Sequence, residues 1–208
     1  SHADFCAREK YHGFEDYRGG GHFSGRITAA LVAAGAIVIP ALREMGVYIG
    51  TYIKEIGNTA LSSPEHKKET LLEVTESKYG VINDTELAEI TDIIERAAQD
   101  GDSVGGKLET AVIGLPAGLG EPWFDGVESQ IAKAVFGIPA VKEISFGAEN
   151  ISKLPGSLAN DAIVLKDGKI ITETNNSGGV QGGITNGMPL VFRTTVKPPP
   201  SIAKEQKT

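Results

Sequence analysis

Residues 28–56 read TAALVAAGAIVIPALREMGVYIGTYIKEI, and this stretch decides the class of fold. Its first part, residues 29–45, is rich in small apolar residues and follows Thr28, a plausible N-cap, so it predicts a helix. The apolar residues lie on every face, which predicts a buried helix, and Pro40 predicts a kink or a late break. Residues 47–56 then alternate β-branched and aromatic residues and predict a strand.

Outward from this stretch, strands and helices mix without regular βαβ alternation. Residues 58–100 predict a variable helical insertion, with a helix start at residues 63–65. Asp167-Gly168 between two apolar runs predicts a hairpin. Further elements are predicted as helices over 84–98 and 126–136 and strands over 105–113, 141–146 and 190–197. This order predicts an α+β fold, organised as a single domain of residues 1–208.

Composition narrows the classes of partner. A formal net charge of −7 and a pI near 5.2 argue against nucleic acid or an anionic membrane surface as the main partner. The longest uncharged apolar run, residues 29–42, is too short to cross a bilayer. Cys6 is the only cysteine, which suits a cytoplasmic protein but is equally typical of a cysteine-poor secreted one.

Three histidines lie in the first 22 residues: His2, His12 and His22. Imidazole titrates near neutral pH, so His2 could give or accept a proton, although a solvated histidine near a chain start has the same appearance. The ten-residue spacing matches no compact ligand motif, and we therefore predict no metal site.

Two glycine-rich segments can approach polar ligands. Residues 18–26, RGGGHFSGR, precede a helix and could bind an anion, or form a turn with solvated arginines. Residues 175–189, NNSGGVQGGITNGMP, could hold a planar polar ring, or make an irregular connection. Neither the dinucleotide-binding nor the P-loop pattern is present.

Two further segments have both chemical and structural readings. Residues 101–106 read GDSVGG, in which a serine next to an aspartate could be a nucleophile. The G-x-S-x-G elbow of serine hydrolases is not present, however. We therefore favour a structural role, in which the glycines allow tight turns and close approach of strands. Residues 197–201, KPPPS, hold Lys197 and Ser201 at a fixed separation, or serve as a polyproline ligand.

The chain resembles chorismate synthase in the order and wording of six segments. They are H-A-D…K-Y, R-G-G-G-x-x-S-G-R, G-D-S-V-G-G, G-L-P-A-G-L-G-E-P, N-N-x-G-G-x-x-G-G-I-T-N-G and K-P-x-P-S. The resemblance covers nearly the whole chain and is weakest over residues 58–100. It implies a β-α-β sandwich with central helices between antiparallel sheets, and a homotetramer. It also implies a lyase of aromatic amino acid biosynthesis (the shikimate pathway), which eliminates phosphate in a 1,4-anti sense from 5-enolpyruvylshikimate 3-phosphate and requires reduced FMN.

The resemblance also assigns site residues. His2 falls on a catalytic histidine and Arg26 on a substrate-binding arginine. The implied FMN contacts are His22, Phe23, Ser24, Pro139, Ala140, Gly182, Lys197, Pro198, Pro199, Pro200 and Ser201. Many relatives have Arg-Ser in place of His22-Phe23, and Pro139 replaces a more usual polar residue, so a contact there is expected through the backbone.

The family's G-E-S-H-G and R-x-D-P segments are not in this sequence. The resemblance therefore implies little or no turnover by this polypeptide alone. Two alternatives stay open: a catalytically inactive core that keeps only flavin-binding or oligomer contacts, and an unrelated flavin-binding oxidoreductase. The latter would need a hydride-acceptor site, for which the sequence has no signal.

Overall fold

The computed structural model of the chain describes residues 3–207. The helices are α1 (Asp4–Tyr11), α2 (Thr28–Glu44), α3 (Lys68–Glu76), α4 (Asp84–Gln99), α5 (Val127–Val135) and α6 (Gly156–Ala159). The strands are β1 (Tyr48–Ile56), β2 (Thr59–Ala60), β3 (Gly106–Ile113), β4 (Val141–Phe146), β5 (Ile163–Lys166), β6 (Lys169–Thr172), β7 (Val180–Gln181), β8 (Ile184–Thr185) and β9 (Leu190–Val196). The predicted α+β fold is confirmed.

The main layer is an antiparallel sheet of five strands in the order β2-β1-β3-β9-β4. Its register places Glu109 of β3 opposite Tyr52 on one side and Arg193 on the other. Helix α3 packs on the face that Gly50 presents, because a Cβ at Gly50 would lie only 2.8 Å from Leu71. The glycine thus allows the helix to approach the strand closely.

Two apolar clusters attach the insertion to this sheet. Under α3, Leu71 packs with Ala111 and Val191 of the central strands. Under α4, the fully buried Ile90 packs with Ile56 and with residues of the connecting loops. The apolar spacing that predicts α4 therefore corresponds to a buried helix face.

Most predicted elements are confirmed within one or two residues at each end. The hairpin has β5 and β6 joined at Asp167-Gly168, where φ is 50° and 75°, as a two-residue type I′ turn requires. The helix start at residues 63–65 is wrong, because α3 begins at Lys68. Ser63 accepts a hydrogen bond from Lys54 Nζ at 2.6 Å instead of capping a helix, which keeps the segment extended.

Helix α2 departs most from its prediction. It continues past Pro40 to Glu44, and within the described chain none of its residues is buried; Ile37 is 78% exposed. The prediction of a buried helix is therefore wrong for this chain. Apolar residues on every face indicate that a helix is covered, but they do not show which part of the molecule or which partner covers it. Residues Gly25–Glu44 form a helical stretch that is long and apolar enough, by length and composition only, to cross a membrane. The length predicted from the uncharged run of residues 29–42 is therefore too short.

Candidate active site

A cavity of about 330 Å³ lies where the end of β9, the start of β4 and the loop before β3 meet. Ala140 and Lys197 both line it, and the backbone N–H of Lys197 donates to the Ala140 carbonyl at 2.9 Å. Gly105 and Pro199 lie in the same wall. Tertiary folding thus joins three segments that are far apart in sequence.

Glycine makes this junction possible. A Cβ on Gly105 would lie 2.6 Å from the Val196 carbonyl oxygen and 2.8 Å from Pro198, so only glycine fits against the proline run. Ser103 Oγ donates to the Pro199 carbonyl at 2.7 Å and fastens the two segments. The interpretation of residues 101–106 as a packing segment is therefore confirmed, and Ser103 serves as a structural tether.

Ala140 adopts a left-handed backbone conformation with φ of 72°. This region is unfavourable for a residue with a Cβ, and such strain persists only where the surroundings impose it. The hydrogen bond from Lys197 and the β-bulge between Val141 and Glu143 supply that constraint. The strain coincides with a residue for which sequence resemblance predicts a contact to flavin.

The cavity walls combine apolar side chains with one unengaged cation. Ile53, Val104 and Leu108 supply apolar surface. Lys107 Nζ is held by Glu55 Oε2 at 3.1 Å, whereas Lys197 makes no ion pair with any residue in the described range 3–207. Apolar walls beside a free ammonium group fit a flat aromatic group with an anionic or polar edge.

The loop of residues 18–26 lies around a different, smaller cavity of about 180 Å³, lined by His22 and Phe23. Arg18 is engaged by Asp16 through Nε at 2.9 Å and Nη2 at 3.1 Å, and this hydrogen bonding lowers the pKa of Asp16. Arg26 Nη1 donates to the Gly19 carbonyl at 3.2 Å, which leaves its other donors available. Arg26, not Arg18, is therefore the arginine of this loop that suits an anion.

The segment of residues 175–189 is largely held by its own amides. Asn175 Nδ2 donates to the Pro189 carbonyl at 2.8 Å, and Asn186 Oδ1 accepts from the Met188 amide at 3.0 Å. Asn175 Oδ1 and Asn186 Nδ2 are nevertheless buried without a partner in the described chain. Gly182, with φ of 63°, forms the turn between β7 and β8, and a Cβ there would enter open space.

Comparison with known proteins now identifies the family. The sequence model of chorismate synthase matches residues 1–208. The chain belongs to the chorismate synthase family. It is 47% identical over 209 residues to the chorismate synthase of Thermococcus kodakarensis and 45% identical over 208 residues to that of Dehalococcoides mccartyi, covering 100% of this chain and 57% of each relative.

A crystal structure of chorismate synthase superposes with a TM-score of 0.83 at 30% sequence identity, covering 94% of this chain and 63% of that one. The fold predicted from resemblance therefore agrees with a solved member of the family. The chain spans little more than half the length of the curated relatives it matches.

The residues assigned by resemblance to this family fall into separate groups. Ala140, Lys197, Pro198 and Pro199 lie together at the junction of β9 and β4. His22 and Phe23 lie at the smaller cavity, and Gly182 lies in a turn. Ser24 and Arg26 belong to the loop before α2, Pro139 precedes Ala140, and Pro200 and Ser201 follow Pro199. His2 lies outside the described residues.

Sequence reasoning missed a buried charged network on the sheet. Glu109, whose side chain is 4% exposed, accepts a hydrogen bond from the Tyr52 hydroxyl and lies 2.6 Å from Arg193 Nε. His66 Nε2 lies 3.1 Å from the Tyr52 hydroxyl and 3.7 Å from Glu109. The one available signal was a glutamate inside the apolar strand β3, where an ionised side chain requires partners.

Opposing effects set the pKa of Glu109. Burial alone would raise it, but the neighbouring His66, the hydrogen bond from Tyr52 and the charge of Arg193 outweigh burial and hold the pKa at about 2. The pKa of Tyr52 moves up, because burial and the hydrogen bond to Glu109 both disfavour the phenolate. The network therefore keeps Glu109 ionised and Tyr52 neutral around neutral pH.

Proposed function

We propose that this chain provides the flavin-binding part of a chorismate synthase, the lyase that eliminates phosphate from 5-enolpyruvylshikimate 3-phosphate to give chorismate with reduced FMN. The observation that carries the proposal is the junction where Lys197 meets Ala140 beside the loop containing Gly105. Two of the family-like segments, residues 101–106 and 197–201, converge there with Ala140. The match to the family over residues 1–208 supports the same assignment.

The junction suits FMN by the chemistry of its walls. When bound, reduced FMN would supply electron density transiently as the phosphate group leaves. Ile53, Val104 and Leu108 would contact the flat ring and exclude water, which strengthens the polar contacts within the site. Lys197 would compensate negative charge on the cofactor. The strained backbone at Ala140 would hold the Ala140 carbonyl in position.

The remaining roles concern the substrate and the proton. Arg26 has donors left for a phosphate or carboxylate group. His2 is proposed as the residue that gives or accepts a proton near neutral pH. The proposal also includes a cytoplasmic location and a small-molecule substrate, with no nucleic-acid or membrane partner.

Replacing Lys197 with Met tests the proposed site. The change removes the free ammonium group while keeping a long apolar side chain, so we expect the affinity for reduced FMN to fall by about tenfold to a hundredfold. Anaerobic titration monitored by flavin absorbance measures this. Lys133→Met, at an exposed position on α5, is the matched control and should bind like the unaltered chain. Equal affinity in both variants would remove Lys197 from the site.

A second candidate is a core that binds flavin or partner subunits without catalysing the reaction. Phosphate release from 5-enolpyruvylshikimate 3-phosphate with reduced FMN separates the two candidates. Release at a rate typical of an enzyme supports the lyase, and FMN binding without release supports the inactive core.

We propose a homotetramer, with α2 in an interface between subunits. Leu31, Val32 and Ile37 are each more than half exposed on this helix. Exposed apolar surface of this extent on one helix marks an interaction site, and a second copy of the chain carries the matching apolar helix.

Val32→Asp combined with Ile37→Asp should dissociate the assembly, because each carboxylate would lose its hydration in an apolar interface. We expect the association constant to fall by more than about tenfold, as measured by sedimentation velocity. Leu158→Asp, at an exposed apolar position on α6, should leave the oligomer intact. A monomeric unaltered chain would contradict the proposal.

A further inference from the structure

A second cavity, of about 410 Å³, lies among the C-terminal half of α2, strand β1, and helix α3 with the loop that follows it. It shares only Leu108 with the cavity at the proposed flavin site. Ile39, Ile49 and Val74 contribute apolar walls, and most of its other lining residues carry hydroxyl groups. Its volume is in the range of sites for small organic ligands.

Among the described residues that line this cavity, Arg43 is the one that carries a charge. Its Nε atom is buried without a hydrogen-bond partner, and the guanidinium makes no ion pair with any of residues 3–207. A buried donor without an acceptor is costly, and for a charged group the cost is larger. The geometry therefore favours an anionic acceptor in front of Arg43.

The hydroxyl groups of the lining are mostly engaged by the protein itself. Thr75 Oγ1 donates to the Leu71 carbonyl at 2.7 Å, and Ser77 Oγ donates to the Val74 carbonyl at 2.9 Å. The Tyr79 hydroxyl has no hydrogen-bond partner in the described range. Arg43 and Tyr79 are thus the donors that remain for a ligand.

We infer that this cavity binds a small carboxylate with an apolar body. Arg43 would pair with the carboxylate through its planar fork of donors, and Tyr79 would donate a further hydrogen bond. The apolar walls would accept the body of the ligand. They disfavour inorganic phosphate, which is strongly hydrated and has no apolar surface to bury.

Benzoate is a suitable probe, because it combines a carboxylate with a flat apolar ring. Calorimetric titration of the 208-residue protein should show binding that weakens by about tenfold or more in Arg43→Gln. Arg96→Gln removes the same charge from the surface of α4, where Arg96 pairs with Asp92, and should leave benzoate affinity unchanged. Lys197→Met should also leave it unchanged, which separates this site from the flavin site.

Two further titrations keep the inference testable if Arg43→Gln does not fold. Benzamide, the neutral analogue of benzoate, should bind the unaltered protein at least about tenfold more weakly, since it lacks the charge that pairs with Arg43. Inorganic phosphate should not compete with benzoate at equal concentration. The inference is overturned by absent benzoate binding, by equal binding of benzamide, by retention of affinity in folded Arg43→Gln, or by competition from phosphate.

Discussion

Glu109→Ala should lower the free energy of unfolding by about 3–5 kcal/mol, the range for removing one partner from a buried ion pair. Glu109 is nearly inaccessible to solvent and is bound by Arg193 and Tyr52. Without it, the guanidinium and the phenol lose their shared acceptor inside the sheet. Urea denaturation at pH 7 measures the change.

Protonation of Glu109 should produce part of the same loss in the unaltered chain. Because its pKa is lowered from 4.5 to about 2 in the folded state, folding favours the ionised form, and this stability is fully present only above the unfolded pKa. It should decline as pH falls from about 4.5 towards 2. Glu109→Ala should lack this contribution, so its stability should depend less steeply on pH over that window.

Glu143→Ala is the matched control for Glu109. Glu143 is exposed and accepts a hydrogen bond from Thr195 at 2.8 Å on the same sheet. Exposed interactions of this kind contribute less than about 1 kcal/mol. Equal destabilisation by the two variants would show that burial of the network is not what makes Glu109 important.

Gly147→Ala should destabilise the fold by about 3 kcal/mol or more, since it combines an unfavourable backbone conformation with a clash. Gly147 has φ of 69°, and a Cβ there would lie 1.9 Å from the Asn176 carbonyl oxygen. Accommodating it would separate β4 from the segment of residues 175–189, where the Ala148 amide donates to that same carbonyl at 2.8 Å. Thermal unfolding followed by circular dichroism measures the loss.

Gly168→Ala separates the two causes. Gly168 has φ of 75°, but a Cβ there would have no other atom within 4 Å, so only the conformational cost of about 1–2 kcal/mol applies. The difference between the two variants gives the contribution of the close approach at Gly147. Similar losses for both would mean that the chain relaxes around the new methyl group at position 147 without disturbing β4.

Local patterns were sufficient for most elements. The alternation in residues 47–56, the apolar spacing of α4 and the Asp167-Gly168 turn each depend on neighbours in sequence, and each prediction is confirmed. The helix start at residues 63–65 is wrong because Ser63 binds Lys54, a partner that lies in another element. A capping signal competes with such contacts, and sequence alone does not reveal them.

For the candidate site, too, some features could be predicted from local sequence and others depend on the tertiary structure. The order of the glycine-rich and proline-rich segments was enough to identify the family. The pairing of Lys197 with Ala140 and the network around Glu109 depend on distances across the fold. None of these contacts follows from spacing along the chain.

By itself, the sequence determined the family, the α+β class and the positions of most helices and strands. These depend on residue identity and on the periods of 3.6 and 2, which are local properties of the chain. Only the tertiary structure decided that α2 is exposed in this chain, that Glu109 is buried and ionised, and that Arg43 Nε has no partner among the described residues. Burial and pairing are properties of what surrounds a side chain, and antiparallel strand pairing sets those surroundings from residues far apart in sequence.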